Sequence, residues 1–176
     1  MMRKLMIIAA PIALLASPAL AQTAVTGTVD INGSVAGRCM FTLPNKTISL
    51  GELSLASNGK LDVSKVNGRN ETLQGWCNNT AATMTVTTTQ LTTATAAPTG
   101  FDNRVDYTAT AVTGSVSAND SSLTAGAGSA STVGLFSGNI VVTLSSASSP
   151  SNGLMVAGAY SGNVVVTLTP TVAPPT

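Results

Sequence analysis

The stretches Thr83-Met-Thr-Val-Thr-Thr-Thr89 and Arg104-Val-Asp-Tyr-Thr-Ala-Thr-Ala-Val112 send side chains alternately to two faces, and no useful length of the chain repeats with a helical period. A period of two is the pattern of a half-buried β-strand, whose successive side chains leave opposite faces of the pleat. The residue types agree, because the branched Cβ of threonine and valine packs well on a pleated surface. Charged residues make up only 9% of the sequence. A Ser/Thr/Gly-rich chain with so few charges invites comparison with disorder, but disordered chains lack this regular alternation. The chain reads as all-β.

Short strands separated by turn residues lay out a sandwich or barrel. Further strands are expected at Arg38–Leu43, at Thr47–Leu53 after a Pro44-Asn45 turn, more weakly at Leu61–Val66, and at Glu71–Cys77. The span Thr113–Ala130 reads as loop with room for one short strand. Ser137-Gly-Asn-Ile-Val-Val-Thr-Leu144 recurs as Ser161-Gly-Asn-Val-Val-Val-Thr-Leu168. Two copies are too few for a repeat architecture and read as two core strands, each fed by a Ser-Gly-Asn turn. Val164, Val166 and Leu168 then share a face, and Pro170 with the tail behind it stops further pairing. With one Trp, two Tyr and three Phe, the core must be mostly aliphatic. Trp76, beside Cys77, is expected to pack near that cysteine and tie two sheets together.

The first residues set the compartment. A short basic start is followed by an apolar run, and Pro18-Ala-Leu-Ala21 ends in the small-x-small pattern of a signal-peptide cleavage site. Residues 1–21 are expected to be removed between Ala21 and Gln22; their apolar run is too short to span a bilayer, and no later segment is long and apolar enough. Removing 21 of the 176 residues leaves 155, a normal size for one domain with one core. Without Arg3 and Lys4, six of the eight basic residues face seven acidic ones. No basic patch remains for nucleic acid or for a membrane surface.

Cys39 and Cys77 are the two cysteines. An even count in an exported chain reads as one disulfide, worth about 4 kcal/mol in the chain-entropy account of a loop of this size. Histidine is absent, which removes Ser–His and Cys–His nucleophiles and His-ligated metals. Asp102 and Asp106 are the closest pair among the carboxylates and would share a strand face; they are expected to form a solvated strand edge rather than an acid–base pair. No phosphate loop occurs. Neither catalysis nor a cofactor is expected, which leaves binding or assembly.

Ahead of Cys39, Val29, Ile31 and Val35 alternate, with Gly33 where the next apolar side chain should be. A strand interior usually avoids glycine, which costs backbone entropy and packs nothing. This order, a signal peptide, an apolar alternation carrying one glycine and then a cysteine, resembles the N-terminal extension of chaperone–usher pilin subunits, as in type 1 fimbriae. Thr47-Ile-Ser-Leu-Gly-Glu-Leu53 is similar to the strand that follows the first cysteine in such pilins, and Cys77 lies at the spacing typical of the family's disulfide. Ala159–Leu168 looks like the closing strand of pilins and of the related spore-coat-U-like domains.

The resemblance implies an incomplete immunoglobulin-like β-sandwich over residues 38–170, completed by a donor strand from a neighbouring subunit, with a Pro-rich tail at 171–176. Residues 22–37 would be the donor extension, with Val25, Val29, Ile31, Gly33 and Val35 as its polymerisation residues. Implied partners are identical or related pilin subunits, a periplasmic chaperone and an outer-membrane usher. The implied product is a surface fimbria supporting adhesion or biofilm. The final strand ends on Leu168-Thr-Pro170 rather than on an aromatic-bearing segment, which leaves the classical and archaic chaperone types both open. The alternative is a secreted, stand-alone β-sandwich adhesin or coat protein, in which residues 24–36 pair within their own domain.

Overall fold

A computed structural model describes residues 23–171. Contacts divide the chain after Ser34, and the segment 23–34 is distinct from the compact unit that begins at Val35.

The regular structure of the compact unit is strand, apart from one 3-10 turn: β1 (Cys39–Leu43), β2 (Asn70–Cys77), β3 (Thr83–Thr88), β4 (Leu91–Thr92), β5 (Phe101–Asp102), β6 (Arg104–Thr113), β7 (Val116–Ser121), β8 (Ser131–Thr132), β9 (Phe136–Ser148), β10 (Leu154–Met155) and β11 (Val164–Thr169). The larger sheet runs β1-β2-β9-β6-β4, with β7 also paired to β6; the smaller runs β11-β3-β8. All ladders of these two sheets are antiparallel. A short parallel pairing joins β5 and β10.

The sheets face each other as a β-sandwich. On β3, Met84, Val86 and Thr88 point inward while Thr83, Thr85 and Thr87 are half-buried on the other face. The larger sheet answers with Val105, Tyr107, Ala109 and Ala111 from β6 and Ile140, Val142 and Leu144 from β9, all buried. Valine, leucine and alanine dominate this core, as the scarcity of aromatics requires. The packing at Gly75 leaves no room for a side chain: a Cβ there would lie 2.9 Å from the Met40 carbonyl oxygen and 3.3 Å from Phe41 Cδ1.

The expected strands at Arg38–Leu43, Glu71–Cys77, Thr83–Thr89 and Arg104–Val112 correspond to β1, β2, β3 and β6. The loop Thr113–Ala130 holds β7, because Gly114-Ser115 forms a two-residue hairpin that returns the chain against β6. Other readings fail for identifiable reasons. Leu61–Val66 is not a strand: Asp62 accepts hydrogen bonds from the Ser64 backbone and hydroxyl (3.1 and 2.6 Å) and caps a 3-10 turn at Val63–Lys65. Pro44–Leu53 carries neither the turn nor the strand expected there, and among the described residues no ladder includes it.

The Ser-Gly-Asn triplets also part company. Ser137–Asn139 lies inside β9, laddered to Trp76–Gln74, whereas Ser161–Asn163 precedes β11 outside any named strand, with Ser161 making an isolated bridge to Thr92. Identical tripeptides adopt what their neighbours offer. Trp76 does not tie the sheets together: the alternation of β2 buries Gly75 and Cys77 and leaves Trp76 on the outer face, opposite the exposed Met40.

Candidate functional site

The outer strands of the two sheets leave an open seam. Among the described residues β11 pairs only with β3, and β1 only with β2. The free edges of the two sheets meet on one side of the sandwich, where β1 contacts β11. An unpaired edge presents a row of N–H and C=O groups ready to accept another strand.

Along this seam, beyond the end of β1, runs a cleft. One part, of about 280 Å³, is walled by Lys46–Ile48 and Leu50 on one side and Gly162–Val164 on the other. Its floor consists of Leu73 from β2, Tyr107 from β6, and Val142 and Leu144 from β9. These are inward-facing residues of the larger sheet, reached here from outside. A wider part, of about 730 Å³, continues between Thr47–Ser54 and Met155–Gly162. The side chains of Ile48, Leu50 and Val164 pack on the core from the rims.

Polar contacts hold the rims in place. Asp102 is 4% exposed, and its carboxylate accepts from the Ser151 backbone (3.1 Å), the Ser151 hydroxyl (2.8 Å) and the Gly153 backbone (2.8 Å). Burial pushes this carboxyl up, but hydrogen bonds from Ser151, Gly153 and Ser149 outweigh it and hold its pKa below the usual aspartate value. The Tyr160 hydroxyl donates to the Val156 carbonyl at 2.9 Å, bracing the Met155–Gly162 rim. The Tyr107 hydroxyl donates to the Asn163 carbonyl at 3.1 Å, just ahead of β11. Burial, with the negative Asp120 nearby, pushes that phenol up to about 12. Asp120 itself accepts from the Thr88 backbone and hydroxyl, both at 2.7 Å.

Asp102 and Asp106 were expected on a solvated edge; both are buried instead. Asp106 accepts from Gln90 Nε2 at 2.6 Å and lies 3.6 Å from Arg104 Nε. Their surroundings are those of structural carboxylates satisfied by nearby donors. Among the described residues no group of three or more His, Cys, Asp or Glu side chains could hold a metal ion. No helix there is long and apolar enough to cross a membrane.

Cys39 and Cys77 are bonded, with Cα atoms 4.1 Å apart, at the first residue of β1 and the last of β2. Such a bond belongs to an oxidising, exported setting. Asn78 and Asn79 follow directly. Asn78 Oδ1 accepts from the Arg38 backbone, its Nδ2 donates to the Ala36 carbonyl, and Asn79 Nδ2 donates to the Thr171 carbonyl. The start of β1 and the chain after β11 are thus fixed at one end of the sandwich.

Residues 23–38 form no strand, and among the described residues no ladder includes them. The alternation expected to make a strand has no partner here, and a strand exists only as part of a ladder. Val25, Val29, Ile31 and Val35 are 96, 85, 92 and 87% exposed. Nothing lies within 4 Å of where a Cβ on Gly33 would be. The cleavage site at Ala21 and Gln22, and the Pro-rich tail beyond Thr171, fall outside the described residues.

Sequence reasoning missed the floor of the cleft and the staple at Asp102. Leu73, Val142 and Leu144 look like ordinary strand residues until the open seam along β11 is seen. The Asp102 contacts lie about fifty positions away and leave no local signature. No protein-family model, no curated protein and no solved structure matches this chain.

Proposed function

We propose that the protein is a structural subunit of a surface fimbria that polymerises by strand donation, residues 22–37 of one copy entering the seam of the next. The observation that carries this reading is the conjunction of an unpaired β11 edge beside an apolar-floored cleft with an unpaired segment whose alternate apolar side chains are almost fully exposed. Each is a liability alone, since exposed edges and apolar surfaces drive association. Together they are complementary: ladder hydrogen bonds supply affinity, and alternate side chains entering the cleft supply register.

Pairing between copies is favoured over self-pairing by the position of the extension. It leaves the compact unit near Asn78 and Asn79, the end at which β11 also finishes. To lie against its own β11 it would have to reverse direction close to residues 35–38 and run parallel to that strand. A second copy's extension is free to pair antiparallel, the slightly more stable ladder. Such a contact joins different surfaces of two identical chains and does not close on itself, so it propagates as a filament. A periplasmic chaperone and an outer-membrane usher are the implied partners that would guard the open seam before assembly.

Deleting residues 22–37 tests the proposal. The truncated protein should be exported and folded yet give no heat-labile, SDS-resistant ladders and no surface polymer. Normal filaments from the truncated chain would refute strand donation, and a stable monomer whose intact N-terminal segment resists proteolysis would instead support a stand-alone β-sandwich.

A further inference from the structure

The sequence contains four Asn-Gly pairs: Asn32-Gly33, Asn58-Gly59, Asn67-Gly68 and Asn152-Gly153. This dipeptide is the one in which an asparagine side chain is most readily attacked by the following backbone nitrogen, because glycine offers no side chain to obstruct it and the greatest backbone freedom. In three of the pairs the fold engages that nitrogen. Gly59 N–H donates to the Leu55 carbonyl at 2.7 Å, Gly68 N–H to the Leu144 carbonyl at 2.8 Å, and Gly153 N–H to Asp102 Oδ2 at 2.8 Å. Two of the asparagine side chains are engaged as well: Asn58 Oδ1 accepts from the Lys60 backbone and Asn67 Oδ1 from the Ala147 backbone. Asn32-Gly33 differs. Both residues are exposed, neither lies in a strand, and among the described residues neither makes a hydrogen bond.

We propose that Asn32-Gly33 is a spontaneous deamidation site that limits the lifetime of the unassembled subunit. The backbone nitrogen of Gly33 attacks Cγ of Asn32, closing a succinimide ring. The side-chain nitrogen leaves as ammonia, taking up the proton lost from the Gly33 N–H. Water then opens the ring at one carbonyl or the other, leaving aspartate or isoaspartate at position 32. The only co-reactant is water, and nothing is oxidised or reduced.

The consequence for assembly rests on the strand-donation reading. Asn32 lies between Ile31 and Gly33 and would face away from the groove, so an ordinary aspartate there changes little. Isoaspartate instead routes the main chain through an extra methylene, putting Val29 and Ile31 out of step with Val35. The inserted atom breaks the two-residue alternation at that point, so the side chains on its two sides no longer enter one face in a common register. Once the strand is donated, its backbone is extended and laddered, which keeps the Gly33 nitrogen away from the Asn32 side chain. Assembled subunits are protected, and subunits that wait too long are retired.

The test incubates the purified mature protein in mildly alkaline buffer beside a synthetic peptide of residues 27–38, and maps both by mass spectrometry with isoaspartate detection. Asn32 should convert within about threefold of the peptide's rate, while Asn58, Asn67 and Asn152 convert at least about tenfold more slowly, since their hydrogen bonds must open first. Equal conversion at all four pairs, or an intact Asn32 when the peptide has reacted, overturns the assignment. A second arm follows the polymerisable fraction over the same period. It should fall in step with isoaspartate in the wild type and hold steady in Asn32→Gln, with Asn32→Ser as the alternative should the glutamine variant fail to assemble when fresh. Equal decline in the wild type and the non-deamidating variant overturns the lifetime role. Absence of any polymer from fresh wild-type protein would count against strand donation, while the mass measurement would still decide the chemistry.

Discussion

The substitution Ile31→Asp replaces a side chain that is 92% exposed and belongs to no ladder among the described residues. In the isolated subunit it should therefore change stability by no more than about 0.5 kcal/mol, the range of surface substitutions without a partner. That corresponds to a shift in Tm of roughly 2 °C or less for a chain of this size. Donation changes the balance. Burying the isoleucine against the apolar floor of Leu73, Val142 and Leu144 contributes about 1.5–3 kcal/mol. An aspartate forfeits that gain and adds the cost of desolvating a carboxylate. The total loss is at least about 3 kcal/mol, more than roughly a hundredfold in affinity. The assay pairs thermal unfolding of the full-length variant with calorimetric binding of peptides 22–37, wild-type and Ile31→Asp, to wild-type subunit. A Tm drop beyond about 6 °C would show Ile31 to be buried in its own fold. Equal binding of the two peptides would refute the role of the seam as its destination.

Three further outcomes are expected. Asp102→Ala removes the acceptor for Ser151 and Gly153 and should cost about 3 kcal/mol in urea denaturation. Because the folded pKa of Asp102 is depressed, its contribution is present above the ordinary aspartate pKa of about 4 and is lost as pH falls through the lower folded value; the variant should therefore show a shallower acid loss below about pH 4, and an unchanged slope would contradict the staple. The Cys39→Ser, Cys77→Ser double variant should lose about 4 kcal/mol, read as a fall in Tm of roughly 10 °C or more, and an unchanged Tm would show the crosslink to be dispensable. Gly33→Val meets open space in the subunit and should fold and export normally yet assemble in reduced yield; filaments at the usual yield would leave the glycine without an assembly role.

Alternation was enough to locate the strands that carry the sandwich, because β3 buries one face and β6 does so except at Asp106, and the pattern is the direct image of that burial. Alternation could not say where a strand lacks a partner. Ile48 and Leu50 alternate as well as Met84 and Val86 do, yet among the described residues Thr47–Leu53 joins no ladder and stays irregular. The same physics explains residues 25–35, whose pattern is regular and whose backbone is unpaired. Trp76 misled for a simpler reason: proximity in sequence to a buried cysteine places a strand residue on the opposite face. Asp102 and Asp106 are buried rather than solvated because their donors, Ser151, Gly153 and Gln90, come from other segments that no local spacing announces.

Amide hydrogen exchange on free subunit and on polymer tests strand donation most directly, because the account requires two separate sets of backbone groups to become protected together. In the free subunit, residues 25–35 should exchange at the rate of an unstructured chain, and those amides of β11 (Val164–Thr169) that face away from β3 should exchange faster than those laddered to it. In the polymer both sets should slow by at least about a hundredfold. A polymer in which residues 25–35 still exchange freely would contradict the account.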